Sequence, residues 1–319
     1  MTKLKSLFIT LVFWGGLLLV AWLMPYKIPL LSQILIMGLF ALSLDLVLGY
    51  AGILTVGHAA FFGVGAYASG LFAVHGWQDP IFGLIAASFI CAVLGYMFGF
   101  MMAKGTDLAR LTISIAVCML LTESARQFSG ITGGSDGLHG ITMKPLFGVF
   151  EFDLFGQTAF FYAFVVVGLL FVLFKVLCAS PFGLSLQAIK SNRKRMHALG
   201  ISATSRLRVA YAVSAAMAGV AGALLAQTNQ FVSVDTLSFE RSAEVLIILV
   251  LGGAGRLYGG LIGAAIYMLL HDLFSGISPH YWMAGLGLVL ITVSLFTSGG
   301  ILGFINTLKP KVIHEQYSP

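Results

Sequence analysis

Asp45 is the only charged residue between Ile28 and Tyr50. A carboxylate inside so apolar a run is costly unless it is paired, neutral or turned toward water. The chemistry open to it is ion handling, or the anchoring of backbone N–H groups from the Gly-rich turn after Gly49; its place near one end of the run suits anchoring. His58 follows Gly57 in G49-Y-A-G-I-L-T-V-G-H-A-A-F-F-G-V-G65. Small residues there let backbones approach and leave polar groups to hydrogen-bond across helices. A neutral His in that setting is a satisfied packing residue, or alternatively lines a translocation path. The candidates for such a path are Asp45, Gly49, Tyr50, Gly52, Gly57, His58, Gly63, Gly65 and Tyr67.

Other motifs carry less. G133-G-S-D-G137 fits the G-x-S-x-G template of a nucleophilic serine, but the strand, sharp turn and helix that would strain and expose that serine are not expected here. Its glycines are expected to shape a turn. H314-E-Q-Y-S318 is not the H-E-x-x-H of a zinc protease, and no G-x-x-x-x-G-K-[ST] loop occurs to cradle ATP phosphates. Cys91, Cys118 and Cys178 stand singly in apolar runs, where they read as lipid-buried side chains rather than a metal or disulfide framework. No catalytic residue, metal or cofactor is therefore expected, and any ATP that drives this chain must be bound by another polypeptide.

The elements that carry these residues follow from composition. Of 319 residues, 59% are hydrophobic and 9% charged, with 38 glycines and a mean hydropathy of +0.97. A soluble domain has about 25% charged residues, so a water-soluble enzyme, a disordered chain and a nucleic-acid-binding domain are all excluded. Apolar runs between charged or Pro-containing breaks predict an all-α, polytopic membrane protein of about ten helices. They are residues 7–24, 28–48, 53–74, 81–103, 108–127, 158–178, 207–228, 239–252, 257–275 and 281–304. The third, eighth and ninth are Gly-rich and so are candidates for broken helices, which membranes tolerate only where protein or a wet cavity satisfies the freed backbone groups.

Lys and Arg concentrate in short cytoplasmic loops. With both termini cytoplasmic, the inner set is Lys3, Lys5, Lys104, Arg110, Lys175, Lys190, Arg193, Lys194, Arg195, Arg206, Arg208, Arg256, Lys309 and Lys311. Only Lys27, Arg126, Lys144 and Arg241 of the 18 basic residues fall outside. Within the single transmembrane domain, 1–319, this leaves a long outer loop at 127–157 and a basic inner loop at 179–206.

The inner loop predicts an amphipathic helix of about five turns. Ser180 is its N-cap, Pro181 occupies the first helical position and Gly200 stops it. Phe182, Leu186, Ile189, Met196 and Leu199 form one apolar stripe, with the basic residues mostly off it. Such a helix either lies on anionic lipid or docks a cytoplasmic partner. A short identity between L48-G-Y-A-G-I-L54 and L251-G-G-A-G-R-L257 hints at the internal repeats of transporters.

S180-P-F-G-L-S-L-Q-A-I-K-S-N-R-K-R-M-H-A-L-G-I201 resembles the cytoplasmic coupling loop of LivM-type permeases, the membrane subunits of branched-chain amino-acid ABC importers. A41–Y67, T132-G-G-S-D-G-L138 and L251-G-G-A-G-R-L-Y-G-G-L-I-G-A-A265 resemble the same family, in family order over most of the chain. Two departures stand out: Ser191, Asn192 and Arg193 replace the usual acidic residues, and Gly260 stands where Pro is common. The resemblance implies a multi-pass inner-membrane permease for branched-chain amino acids, working by alternating access. It implies a second homologous permease subunit, two cytoplasmic ATP-binding subunits and a periplasmic substrate-binding protein as partners, with membrane lipid and no nucleic acid. ATPase coupling would fall to Pro181, Phe182, Gly183, Ala188, Ile189, Arg193, Lys194, Arg195, Ala198, Leu199 and Gly200, acting as a rigid lever. Permeases for urea and short amides resemble this family too and remain open as a substrate class. A self-sufficient ion-coupled transporter would need intramembrane carboxylates, and Asp45 stands nearly alone, with Glu123 and Glu244 near the expected outer ends.

Overall fold

The computed structural model describes residues 2–153, 156–277, 281–296 and 300–303. The sequence H314-E-Q-Y-S318, Lys309, Lys311 and residues 297–299 and 304 of the tenth apolar segment lie outside them. In chain order the helices are α1 (Thr2–Leu23), α2 (Ile28–Asp45), α3 (Ala59–Val74), α4 (Pro80–Lys104), α5 (Asp107–Gln127) and the short α6 (Ser129–Thr132). After the long loop come α7 (Gln157–Ala179), α8 (Pro181–Ser191), α9 (Arg193–Ala198), α10 (Ala203–Asn229), α11 (Phe239–Gly252), α12 (Gly259–Ile277) and α13 (Trp282–Phe296).

The helix starts follow local chemistry. Asp79 Oδ1 accepts the N–H groups of Ile81 and Phe82 ahead of Pro80, and Ser238 Oγ accepts that of Arg241. Every one of the ten expected apolar segments contains a helix. Among the described residues, six helical stretches are long and apolar enough to cross a membrane: Pro25–Tyr50, Pro80–Ala103, Asp107–Gln127, Gln157–Ala179, Ala203–Asn229 and Gly259–Ile277. The chain is a multi-pass membrane protein. With 16 and 14 residues, α3 and α11 are shorter than a straight crossing of about 20 residues requires.

The bundle is built around α2, whose apolar window is 89% buried, against 22% for α4 and for α5. The long α10 packs against α4, α3 and α2, and α12 and α11 cover another side of α2. Lipid supplies no hydrophobic drive between helices, so close backbone approach does the work. A Cβ on Gly222 would stand 1.8 Å from the Phe62 carbonyl oxygen, and one on Gly65 2.3 Å from that of Gly219. Gln227, fully buried in α10, accepts the Tyr162 hydroxyl at 2.9 Å and donates to Ser69 Oγ and the Pro80 carbonyl, tying four helices with one side chain.

Three expectations need correction. The third apolar segment is not helical from residue 53: α2 ends in a π-helical turn, Leu46–Tyr50, and the chain then runs irregularly to Ala59. That buried backbone is satisfied from other elements, Val56 N–H by Ser114 Oγ and Ala59 N–H by Ser242 Oγ. The amphipathic segment is likewise not one rod. Asn192 leaves helical geometry at φ −157° and ψ 99°, and its side chain caps a new helix by accepting the Arg195 N–H at 3.0 Å; a short polar side chain that bonds nearby backbone competes with helix continuation. Finally, Cys91, Cys118 and Cys178 are buried within the bundle rather than in lipid, with Cys91 Sγ donating to the Phe61 carbonyl and Cys118 Sγ to that of Leu237.

Candidate functional site

Two residues of the apolar run and one of the basic loop meet where α2 unwinds. The π turn places Gly49 directly beside Asp45, so that a Cβ on Gly49 would come 1.9 Å from Asp45 Oδ1. Oδ1 accepts the N–H of Gly255 at 2.7 Å. Asp45 therefore anchors a Gly-rich turn as expected, but the turn is the one between α11 and α12, not the one following Gly49. Gly255 can donate because its φ of +77° is open to glycine. The two short repeated sequences, L48–L54 and L251–L257, thus pack against each other. Lys190, from the last turn of α8, donates to the Gly49 carbonyl at 2.7 Å, with its stem against Gly52.

His58 lies deeper. It is 1% exposed, its Nε2 sits 3.0 Å from Ser43 Oγ and 3.2 Å from Ser214 Oγ, and its ring stacks on Phe40 and meets Phe61 edge-on. Gly57 packs on the Ser114 carbonyl, Gly63 on Leu237 and Gly65 on Gly219, while Tyr50 meets Phe174 edge-on. Tyr67 borders a 560 Å³ apolar cavity with Leu71, Leu121, Ser124 and Leu237. The path candidates are thus mostly packed inside the bundle of this chain.

The coupling candidates separate into two groups. Leu186, Ile189 and Met196 are buried, and Gly183 packs against the Cys178 carbonyl, so α8 and α9 are seated on the bundle. Phe182 lies under the Arg206 guanidinium at 5.8 Å. Arg193 turns inward and donates to the Ala103 carbonyl, while Arg110 donates to that of Met102 at 2.8 Å. Together they cap the C-terminal carbonyls of α4, where positive charge is favoured. Burial, and then the neighbouring Arg110 cation, hold the Arg193 guanidinium below its ordinary pKa. Pro181, Lys194, Arg195 and Ala198 face outward, Ala188 is half-buried, and Gly200 ends the segment at φ +79°. Leu199 departs from the expected buried stripe: it is 69% exposed, because the break at Asn192 rotates α9 relative to α8.

A second polar feature was not singled out from sequence. The lipid-type faces of α4 and α7 expose Ile85, Phe89, Met97, Val165 and Leu169. Beside exposed Leu108, Met119 and Leu120, α5 also exposes Thr112 and Glu123, the 3-10 turn Val234–Leu237 exposes Asp235, and α11 begins with exposed Phe239 and Glu240. Beside them Arg241 pairs with Glu244 at 2.5 Å in a 630 Å³ cleft bordered by Tyr267, His271 and Trp282. The clustering was illegible because these residues come from separate elements. The G133–G137 run forms turns, with Gly133, Gly134 and Gly137 all at positive φ, and Leu138 bridges to Val232.

A family model described as the branched-chain amino acid transport system / permease component matches residues 28–294. The chain is 27% identical to the high-affinity branched-chain amino acid transport system permease protein LivM of Salmonella typhimurium, over 86% of this chain and 70% of that protein. It is 28% identical to LivM of Escherichia coli, over 83% and 67% respectively. It is also 30% identical to the ribose import permease protein RbsC of Bacillus subtilis, over 83% and 82%. No solved structure matches. With the match running from the start of α2 into α13, and so across the Asp45 junction, the chain belongs to the family of branched-chain amino acid transport system permease components.

Proposed function

We propose that this chain is a membrane subunit of an ATP-driven ABC importer for branched-chain amino acids in a bacterial inner membrane. The reading rests on its membership of the permease family and on one structural observation. The helix pair α8–α9 is tied into the bundle by Lys190 and Arg193, yet it presents Leu184, Lys194, Arg195 and Leu199 outward. A helix pair lying passively on lipid would turn its apolar residues toward the membrane; exposed Leu beside exposed cations suits a protein surface instead.

In this reading both termini are cytoplasmic, as the distribution of Lys and Arg favours, and about ten helices traverse or enter the membrane. Two cytoplasmic ATP-binding subunits grip α8–α9. A second, related permease subunit covers the face formed by α5, the turn after Ser233 and the start of α11, because Glu123, Asp235 and Glu240 are poorly suited to lipid. The amino acid then passes between the two subunits, delivered by a periplasmic binding protein to the end that carries residues 127–157. Asp45, Gly49, Tyr50, Gly52, Gly57, His58, Gly63, Gly65 and Tyr67 frame the path from behind rather than line it. Alternating access follows if ATP binds the two states of the assembly unequally; a ligand that binds both equally shifts nothing.

The test is reconstitution of the chain with its partner subunits in vesicles. Uptake of leucine, isoleucine and valine that requires ATP and ignores ionophores is expected. Uptake by the purified chain alone, driven by an ion gradient, would overturn the reading, and preference for ribose or urea would correct its substrate.

A further inference from the structure

The junction at Asp45 holds a charge relationship that packing alone does not require. The Lys190 stem lies so close to Gly52 that a Cβ there would stand 2.6 Å from the lysine Cγ. The ammonium group reaches past it to the Gly49 carbonyl at 2.7 Å. On the other side of the same glycine lies the Asp45 carboxylate, held by the Gly255 N–H through Oδ1 alone. Its Oδ2 is buried, with no hydrogen-bond partner among the described residues. A buried acceptor left without a donor is costly. An ammonium group carries three donors on a flexible stem, and its bond to a carboxylate is stronger than its bond to a neutral carbonyl. Lys190 is thus held on the weaker acceptor with the stronger one a single glycine away.

We propose that Lys190 is the positioning residue that couples α8 to the bundle, its ammonium group exchanging between the Gly49 carbonyl in the arrangement seen here and Asp45 Oδ2 in the other arrangement of the transport cycle. This rests on the importer reading, since α8 must be moved by something outside this chain. In that cycle, a shift of α8 along the π turn carries the ammonium group across Gly49. The two acceptors make the junction bistable, and the turn before α12 follows because Gly255 is bonded to the same carboxylate.

The experiment uses the complete assembly in vesicles and measures ATP hydrolysis and amino-acid uptake together, for wild type, K190M, K190R, D45N and K190M/D45N. K190M keeps the stem on Gly52, and D45N keeps an acceptor for Gly255. Each single variant is expected to hydrolyse ATP near the wild-type rate while uptake per ATP falls about tenfold, the usual size of a coupling between sites. The double variant is expected to be no worse than either single, because both remove one shared interaction, and K190R is expected to recover most of the uptake. Unchanged uptake per ATP in K190M and D45N overturns the proposal, as do losses that multiply in the double variant. Assembly, hydrolysis and uptake falling together, without rescue by K190R, would make Lys190 a structural tether only, which also overturns it. A wild-type assembly that never shows ATP-dependent uptake refutes the importer reading itself, and with it this exchange.

Discussion

Single atoms decide much of this bundle. Gly222 has no room for a methyl group, since a Cβ would stand 1.8 Å from the Phe62 carbonyl. G222A is therefore expected to cost about 1–3 kcal/mol or more through forced separation of α10 from α3, read as a lower melting temperature in detergent. G130A, where nothing lies within 4 Å of the added carbon, is the matched control and should leave it unchanged. Gln227 makes a different demand. Q227L would leave the Tyr162 hydroxyl, Ser69 Oγ and the Pro80 carbonyl without that partner, and is expected to cost about 1–3 kcal/mol by the same melting measurement. Asp45 and His58 could be picked out of the sequence as unusual, because polar side chains in apolar runs are conspicuous. Which groups bond them could not, because Gly255 and Ser214 arrive from elements far along the chain, a turn and a helix.

At the scale of elements, Asn192 divides one expected helix into two, and the division sorts the basic cluster. Arg193 caps α4, while Lys194 and Arg195 face outward. Reversing only the outward pair, K194E/R195E, is expected to abolish ATP-dependent uptake while leaving membrane insertion and melting temperature intact, because no cation inside the fold is touched. R193A should behave in the opposite manner, lowering the melting temperature through the lost cap on α4. An unchanged uptake rate in K194E/R195E would remove the docking role from these two side chains. The expected helix was right in its start, its end and most of its stripe. It failed at one residue because the Asn192 side chain, by accepting the Arg195 N–H, competes with continuation.

Across the whole molecule, the exposed acids Glu123, Asp235 and Glu240 set the expectation for assembly. R241A removes the cation that pairs with Glu244 and leaves Glu240 and Glu244 as neighbouring acids. It is expected to weaken association with the second permease subunit, seen as a smaller yield of intact complex on size-exclusion chromatography, without unfolding the isolated chain. Substitutions on the lipid-type face, such as F89L on α4, should not change that yield. The paired repeats at 48–54 and 251–257 show the same dependence on assembly: their likeness was visible as letters, but that they touch each other across Asp45 is a property of the folded chain.

Composition and local spacing were enough to establish a multi-pass helical membrane protein, most of the helix starts, and the break in the Gly-rich third segment, whereas the eighth and ninth segments, equally expected to break, are the continuous helices α11 and α12. These properties depend on near neighbours in the chain: on hydropathy over about 20 residues, on capping side chains, and on the missing Cβ of glycine. Tertiary structure alone decided that Asp45 bonds Gly255, that Lys190 reaches Gly49, that Leu199 is left outside, and that Asp235 and Glu240 border one cleft with the Arg241–Glu244 pair. The reason is physical. Such contacts are chosen by which backbones can approach closely within the bundle, and that choice is settled between helices remote in sequence, where no periodicity records it.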